Sequence, residues 1–250
     1  MDGRERDLAE AFDGQAARFE RAPVQTDPVA LARMVEFATL PLDSRVLDAG
    51  CGPGLVAEAF LAAGHRVHGV DLAAEMVRRA RERCARFGDR AGFDQGSLFQ
   101  LAAEAPFDAA VSRFVVHHAR DPLAFIRAKA ERVQLGGVVV VSDHVTDPDA
   151  SAARWHREIE HARDRTHERS LSSGELVDAF ARAGLSGVQL REDPFELDFD
   201  EWFDRGTPAL PKEEARARLL AGRARGFEPR KRPDGGITIR CILALVRGVR

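Results

Sequence analysis

Apolar and polar residues along the first 145 positions follow a pattern that predicts strands separated by helices. Short β-rich runs lie at 45–50, 66–71, 91–96 and 107–112. The apolar run VVVV at 138–141 is too short for a helix and predicts a strand buried on both faces. Helical spacing fills the intervals, as in AAEMVRRARERCARFG and in DPLAFIRAKAERV. This alternation predicts βαβ units and a parallel sheet covered by helices on both faces.

The pattern changes after Pro148. The stretch 149–168 has helical spacing but is highly polar, and a helix with Ser172 or Ser173 as its cap follows. Residues 188–192 and 237–248 predict a sixth and a seventh strand, and two short helices interrupted by prolines are expected between them. We therefore expect an α/β fold with a doubly wound, seven-stranded, mostly parallel sheet.

The string VLDAGCGPG places Gly50, Gly52 and Gly54 directly after the first predicted strand, with Asp48 two residues ahead of them. The dinucleotide fingerprint G-x-G-x-x-G does not fit, because Leu55 stands where its third glycine should be. Alone, such a turn is a weak indicator of a ligand, and a tight connection without any ligand is the alternative.

Residues that follow the early strands should meet at the carboxyl edge of the sheet, where open α/β sheets bind ligands. Asp71 ends the second strand, 21 residues after Gly50, close to the offset of about 20 residues at which a carboxylate binds a ribose. This position indicates a nucleoside without distinguishing NAD from S-adenosylmethionine. The glycine spacing favours S-adenosylmethionine, as does Asp48, which would repel a pyrophosphate.

At these residues the chain resembles a known family. VLDAGCGPG followed by GVDLAAEM resembles motif I and the acidic loop of class I S-adenosylmethionine-dependent methyltransferases. FDAAVSRFVVHHARDP and LGGVVVVSDHV resemble the fourth- and fifth-strand segments of the branch that includes the ubiquinone and menaquinone biosynthesis methyltransferases. The similarity covers roughly residues 40–146, and the upstream FDGQAARFERAPV resembles the N-terminal cap helix of that branch.

The resemblance implies a Rossmann-like class I fold in a single domain over 1–250, with an N-terminal cap helix and a helical lid. The segments expected from it are cap helices at 1–40, a cofactor-binding core at 41–148, lid segments at 149–170 and 198–228, and the rest of the sheet at 171–197 and 229–250.

The resemblance also implies roles for individual residues. The three glycines would pass close to the methionine portion of the cofactor, Asp48 would organise the turn, and Asp71 would bind the ribose. Ser97 stands where many relatives have an aspartate that receives the adenine amino group. The expected cofactor-binding residues are Asp48, Gly50, Cys51, Gly52, Gly54, Asp71, Leu72, Met76, Ser97, Leu98, Arg113 and Phe114.

His117 and His118 follow the fourth strand and are the candidate catalytic bases, since histidine accepts a proton near neutral pH and the chain has no tyrosine. In extended backbone the two side chains would point to opposite faces, so only one would reach the site. His156 and Glu160 have metal-pair spacing, but no third ligand accompanies them and no metal is predicted. Trp155, Trp202, Phe195, Phe199 and Phe203 fit either a substrate pocket or plain core packing.

Composition narrows the function. A formal net charge of −3 gives no basic field for a nucleic-acid partner, and three scattered cysteines predict a reducing, cytoplasmic compartment. No apolar run approaches the roughly 20 residues of a membrane span. We expect methyl transfer from S-adenosylmethionine to an oxygen, carbon or nitrogen of a small-molecule acceptor, with the oligomeric state left open.

Three alternatives remain at this point. A protein of this fold can bind the cofactor and catalyse another reaction. An RNA methyltransferase would need a basic module, for which the tract 230–232 is the only candidate. An oxidoreductase is disfavoured by the glycine spacing.

Overall fold

The computed structural model describes residues 1–101 and 106–250, which form an eight-stranded sheet. The strands are β1 Arg45–Ala49, β2 Arg66–Asp71, β3 Ala91–Gln95, β4 Phe107–Arg113, β5 Val133–His144, β6 Ser186–Asp198, β7 Phe227–Lys231 and β8 Ile237–Val249. Their order is β3-β2-β1-β4-β5-β8-β6, with β7 paired to β8. The first five strands are parallel and β8 is antiparallel to its neighbours, so the predicted fold class is confirmed.

The expected strand count of seven is wrong, because β7 is an additional strand. It pairs with Ile237–Cys241 of β8, on the edge that β5 leaves free beyond His144. Its sequence FEPRK contains a proline and two adjacent cations and lacks the alternation typical of a strand. This segment therefore forms a strand because it pairs with the long β8, and its own sequence does not favour a strand.

Ten α-helices lie in the described part of the chain. They are α1 Gly3–Phe19, α2 Pro23–Thr26, α3 Pro28–Ala38, α4 Leu55–Ala62, α5 Ala74–Cys84, α6 Pro122–Arg132, α7 Ala150–Arg163, α8 Ser173–Arg182, α9 Phe199–Asp204 and α10 Lys212–Leu220. The predicted cap of α8 is confirmed, since Ser172 and Glu175 form a reciprocal capping box. Among these residues, no helix is both long and apolar enough to cross a membrane.

Helices cover both faces of the parallel strands, and the apolar run in β5 supplies both core layers. Val139 and Val141 pack with α6 and α8, whereas Val138 and Val140 pack with α3, α4 and α5. A third apolar cluster forms where α7, α9 and α10 pack against β7 and β8. Phe199, Trp202 and Phe203 are buried in that cluster, which favours the core-packing interpretation of these aromatics.

Candidate functional site

The glycine turn after β1 is shaped by close packing below it and open space above it. Gly54 has a φ of +82°, and a Cβ placed there would lie 2.9 Å from the Cα of Ala80 on α5. A side chain would therefore be strained and would push α5 away. At Gly52 the φ is also positive, but an added Cβ would meet nothing within 4 Å, because this part of the turn faces a cavity.

Asp71 ties the glycine turn to the loop after β2. Its carboxylate accepts hydrogen bonds from the backbone N–H of Gly52 at 2.8 Å and of Ala73 at 2.9 Å. Burial raises the pKa of Asp71, and these two backbone hydrogen bonds oppose the shift. Each carboxylate oxygen still has a lone pair available for a ligand. Asp71 is therefore a fixed acceptor at the carboxyl edge of the sheet.

A cavity of about 330 Å³ lies above the turn. Most of the expected cofactor-binding residues line it: Gly50, Cys51, Gly52, Asp71, Leu72, Met76, Ser97, Leu98, Arg113 and Phe114. The candidate base His118 lines it as well. Asp48 and Gly54 are not among the lining residues.

Helix α1 closes the cavity from above. Its Phe12 and Phe19 line the cavity, and the hydroxyl of Ser97 donates to the carboxylate of Glu5. Helix α1 also contacts the segment after α7, because the guanidinium of Arg4 donates to the carbonyl oxygen of Thr166 at 2.6 Å. Glu5 was not expected at the site. Its capping box with Asp2 can be read from the sequence, whereas its contact with a loop more than 90 residues away cannot.

Asp48 lies beneath the turn, on the buried part of β1. Among the residues described, neither carboxylate oxygen has a hydrogen-bond partner. Burial raises the pKa of Asp48 to about 7, although the charge of the buried Lys129 opposes the shift. Ionised Asp48 is therefore costly in the folded protein, and its side chain does not line the cavity.

We expect Asp48→Asn to stabilise the protein above neutral pH. In the unfolded chain the carboxyl ionises near pH 4, but in the folded protein its pKa is about 7. Because the unfolded state loses its proton first, the free energy of unfolding falls as the pH rises from 4 to 7. The variant should be more stable by roughly 2 to 4 kcal/mol at pH 8, with the gain fading towards pH 4.

Urea unfolding at pH 5 and pH 8 measures this difference. The exposed Asp89 serves as the control, since Asp89→Asn removes one carboxylate without changing the core. Equal free energies of unfolding for Asp48→Asn and the parent protein at both pH values would show that ionised Asp48 does not destabilise the folded protein.

The end of β4 connects the cavity wall to the N-terminal segment. The guanidinium of Arg113 donates to the carbonyl oxygens of Val24 at 2.7 Å and Gln25 at 3.1 Å, which clamps α2 to the sheet. Burial lowers the pKa of Arg113 to about 10. Phe114 follows with a φ of +55°, a conformation that costs free energy and is common at functional sites. Its ring borders this cavity and the smaller one described below.

His117 and His118 lie in a short 3₁₀ turn, Val116–His118. The expectation of extended backbone is therefore wrong, and the two buried rings lie with their centroids 4.1 Å apart. Their hydrogen-bond partners differ. Nδ1 of His117 lies 2.7 Å from Oδ1 of Asp143, whereas Nδ1 of His118 lies 3.1 Å from the carbonyl oxygen of Thr166.

These partners give the two histidines opposite acid–base properties. Burial alone would lower the pKa of His117, but the charge and hydrogen bond of Asp143 outweigh it and raise the pKa. Burial and the neighbouring His117 lower the pKa of His118 to about 3. Asp143 also accepts the backbone N–H of Val116 at 2.7 Å, so its position is fixed. The pair of His117 and Asp143 has the form of a base with its orienting carboxylate.

A second cavity of about 50 Å³ adjoins the first. His117, His144, Glu160 and Trp202 are among its walls, and it shares Phe19, Gln25, Phe114 and His118 with the larger cavity. Asp143 and His144 are the last two residues of β5, whereas the residues expected at the site lie at or after the ends of the first four strands. Because β5 is parallel to β4, it ends at the same edge of the sheet. The position of Asp143 and His144 at the end of the fifth predicted strand could therefore have indicated that they lie at the site.

Comparison with known proteins identifies the family. A sequence profile described as "Methyltransferase domain" matches residues 24–190. The chain belongs to this methyltransferase family. The resemblance predicted from motif I and the acidic loop is thereby confirmed.

The methyltransferase is similar to proteins of several bacteria. It is 38% identical over 128 residues to a ubiquinone biosynthesis O-methyltransferase of Xanthomonas campestris pv. campestris, a match covering 50% of this chain and 53% of that protein. The chain therefore matches about half the length of this relative. The crystal structure of YcgJ from Bacillus subtilis superposes with a TM-score of 0.78 at 25% identity, covering 89% of this chain and 98% of that one.

A more distant structure shows the same fold. The geranyl diphosphate C-methyltransferase of Streptomyces coelicolor A3(2), solved with Mg²⁺, geranyl diphosphate and S-adenosyl-L-homocysteine, has a TM-score of 0.64 at 17% identity. The match covers 100% of the methyltransferase chain and 98% of that structure.

Proposed function

We propose that the methyltransferase transfers a methyl group from S-adenosylmethionine to a small-molecule acceptor held beside His117. The observation that carries this proposal is the arrangement of the two cavities. The larger one combines the glycine turn with Asp71, and it shares four lining residues with a smaller one that is lined by His117, a histidine with its own carboxylate partner.

The larger cavity fits the cofactor in size and chemistry. Its volume of about 330 Å³ lies in the range of small-molecule sites. The carboxylate of Asp71 can accept both ribose hydroxyls, and Leu72, Met76 and Leu98 provide an apolar wall for the adenine. Glu5, held beside Ser97, offers the carboxylate that relatives carry in the third-strand loop and would receive the adenine amino group.

The smaller cavity, with a volume of about 50 Å³, has room for the reacting group of an acceptor that must lose a proton. When bound, S-adenosylmethionine supplies an electrophilic methyl group attached to a positively charged sulfur. Nδ1 of His117 is occupied by Asp143, which leaves Nε2 to take the proton from an acceptor hydroxyl, amine or acidic carbon. Asp143 positions the ring and stabilises its protonated form. Phe114 and Trp202 provide apolar walls beside His117.

The charges of the tract 230–232 support a small-molecule acceptor over RNA. Arg232 pairs with Asp198 at 2.6 Å and with Asp234 at 3.2 Å, and Arg230 lies 4.0 Å from Glu228. Each arginine thus has an acidic neighbour, which weakens the field that a nucleic acid would require. The buried, unpaired Cys51, Cys84 and Cys241 support a cytoplasmic location.

Calorimetric titration with S-adenosylmethionine and with NAD tests the cofactor assignment. We expect S-adenosylmethionine to bind at least about tenfold more tightly, since nothing in the glycine turn is arranged for a pyrophosphate. Tighter binding of NAD would overturn the assignment. Formation of S-adenosylhomocysteine with a panel of phenols, catechols, thiols and amines then tests methyl transfer. Cofactor binding without turnover of any panel member would favour a protein of this fold with another activity.

A further inference from the structure

Four side chains meet at one wall of the smaller cavity, and three of them are buried, whereas the side chain of His144 is 12% exposed. His144 ends β5, His156 and Glu160 lie one turn apart on α7, and His167 lies on the segment after α7. We call them the His–Glu cluster. Nε2 of His144 and Nε2 of His156 lie 3.7 Å and 3.5 Å from Oε1 of Glu160, and Nδ1 of His167 lies 3.8 Å from its Oε2. Three nitrogens thus surround one carboxylate.

The cluster contains a buried nitrogen, Nε2 of His156, that has no hydrogen-bond partner among the described residues. All three N···O distances exceed a normal hydrogen bond. The side chain of His156 is 1% exposed, and in the described chain its Nε2 has no hydrogen-bond partner although it faces Glu160. Burial of unpaired polar groups and of a carboxylate is costly. A cation bound between His144, Glu160 and His167 would neutralise the carboxylate and pair with the two nitrogens that lie close to it.

The spacing of the ligand atoms fits a zinc site. Bonds of about 2.0–2.2 Å in a tetrahedral site place neighbouring ligand atoms about 3.4 Å apart. Nε2 of His144 and Nδ1 of His167 lie 3.7 Å and 3.8 Å from the carboxylate oxygens of Glu160. The ligand atoms of these three residues all lie within 4.8 Å of one another, so a contraction of the cluster would bring them to bonding distance. Two imidazoles and one carboxylate suit Zn²⁺, whereas Mg²⁺ prefers oxygen ligands.

Neighbouring groups hold the ligands in place, as outer contacts of metal sites do. Nδ1 of His156 lies 2.8 Å from the hydroxyl of Thr146, and its Nε2 lies 3.5 Å from Oε1 of Glu160, so His156 contacts the ligand Glu160 from outside. Nδ1 of His144 lies 3.4 Å from Asp143. The hydroxyl of Ser170 lies 2.8 Å from Nε2 of His144 and 3.5 Å from Nε2 of His167, so it could turn from the first to the second when a metal binds.

We infer that the His–Glu cluster binds one Zn²⁺ ion, with His144, Glu160 and His167 as its three protein ligands. His144 and Glu160 also line the smaller cavity, so the ion would have an open position on that side. An ionised hydroxyl or thiol of the acceptor can bind there, and this second role rests on the proposed function. The site differs from the His156–Glu160 pair considered in the sequence, because the ligands beside Glu160 are His144 and His167.

The test uses the full chain, stripped of metal with a chelator and titrated calorimetrically with ZnCl₂. We expect one Zn²⁺ per chain. Glu160→Gln and His167→Gln should each weaken binding by about a hundredfold or more, because each removes a ligand. His68→Gln is the matched control, since His68 also lies beside a carboxylate, Asp94 at 3.1 Å, but outside the cluster. Its affinity for Zn²⁺ should equal that of the parent protein.

Binding well below one equivalent, or unchanged binding in both cluster variants, would overturn the site. If the glutamine variants do not fold, the visible spectrum of the parent protein with Co²⁺ decides. Intense bands of a four- or five-coordinate ion support the cluster, and the weak spectrum of hydrated Co²⁺ contradicts it. Titration of the stripped protein with S-adenosylmethionine separates the two proposals, because Zn²⁺ binding without cofactor binding would remove the proposed function and leave the metal site standing.

Discussion

Asp71→Ala is expected to lose about 10²- to 10⁴-fold in affinity for S-adenosylmethionine. The carboxylate stands on the cavity floor with both oxygens fixed by backbone N–H groups, so it needs no rearrangement to accept two ribose hydroxyls. A hydrogen bond to a charged group contributes about 1.5–3 kcal/mol, and two such bonds account for the range. Calorimetric titration of the purified variant measures the loss.

Two further variants separate the ribose contact from the support that Asp71 gives to the turn. Asp71→Asn keeps the shape and one acceptor, and we expect an affinity between those of the parent protein and the alanine variant. Asp94→Ala, at an exposed position of the adjacent β3, should bind as the parent does. An alanine variant at 71 that melts normally and binds S-adenosylmethionine with full affinity would contradict the ribose assignment.

The cofactor half of the site could be predicted because it depends on local sequence and on one property of parallel sheets. The glycine turn directly follows β1, Asp71 is the last residue of β2, and Phe114 directly follows β4. Parallel strands in register bring these ends to one edge, so β1, β2 and β4 deliver Gly52, Asp71 and Phe114 to the same cavity. No knowledge of the lid is required.

The acceptor half could not be predicted, because it depends on how distant segments pack. Asp143 lies 26 positions after His117, and Glu160 reaches the same place only through the path of α7 over the sheet. The 3₁₀ turn at Val116–His118, which lets both histidines face inward, has no clear local signal. The same reason explains the contact between Glu5 and Ser97, which requires α1 to lie across the cavity.

His117→Gln is expected to lower kcat by about 10²- to 10⁴-fold, the range in which a positioned general base contributes. The assay is formation of S-adenosylhomocysteine with the panel member that the parent protein methylates fastest. Glutamine can still form a hydrogen bond with Asp143 but cannot take a proton from the acceptor. Affinity for S-adenosylmethionine should stay unchanged, since His117 does not line the larger cavity.

The neighbouring histidine provides the matched control, because it lies in the same turn and is equally buried. Nδ1 of His118 faces the carbonyl oxygen of Thr166, and its pKa of about 3 makes it a poor proton acceptor at neutral pH. His118→Gln should therefore keep kcat within about tenfold of the parent, whereas Asp143→Asn should lower it because the ring of His117 loses its orienting carboxylate. Equal losses of kcat in both histidine variants would assign the effect to packing of the turn, and full activity of His117→Gln would remove the base from the mechanism.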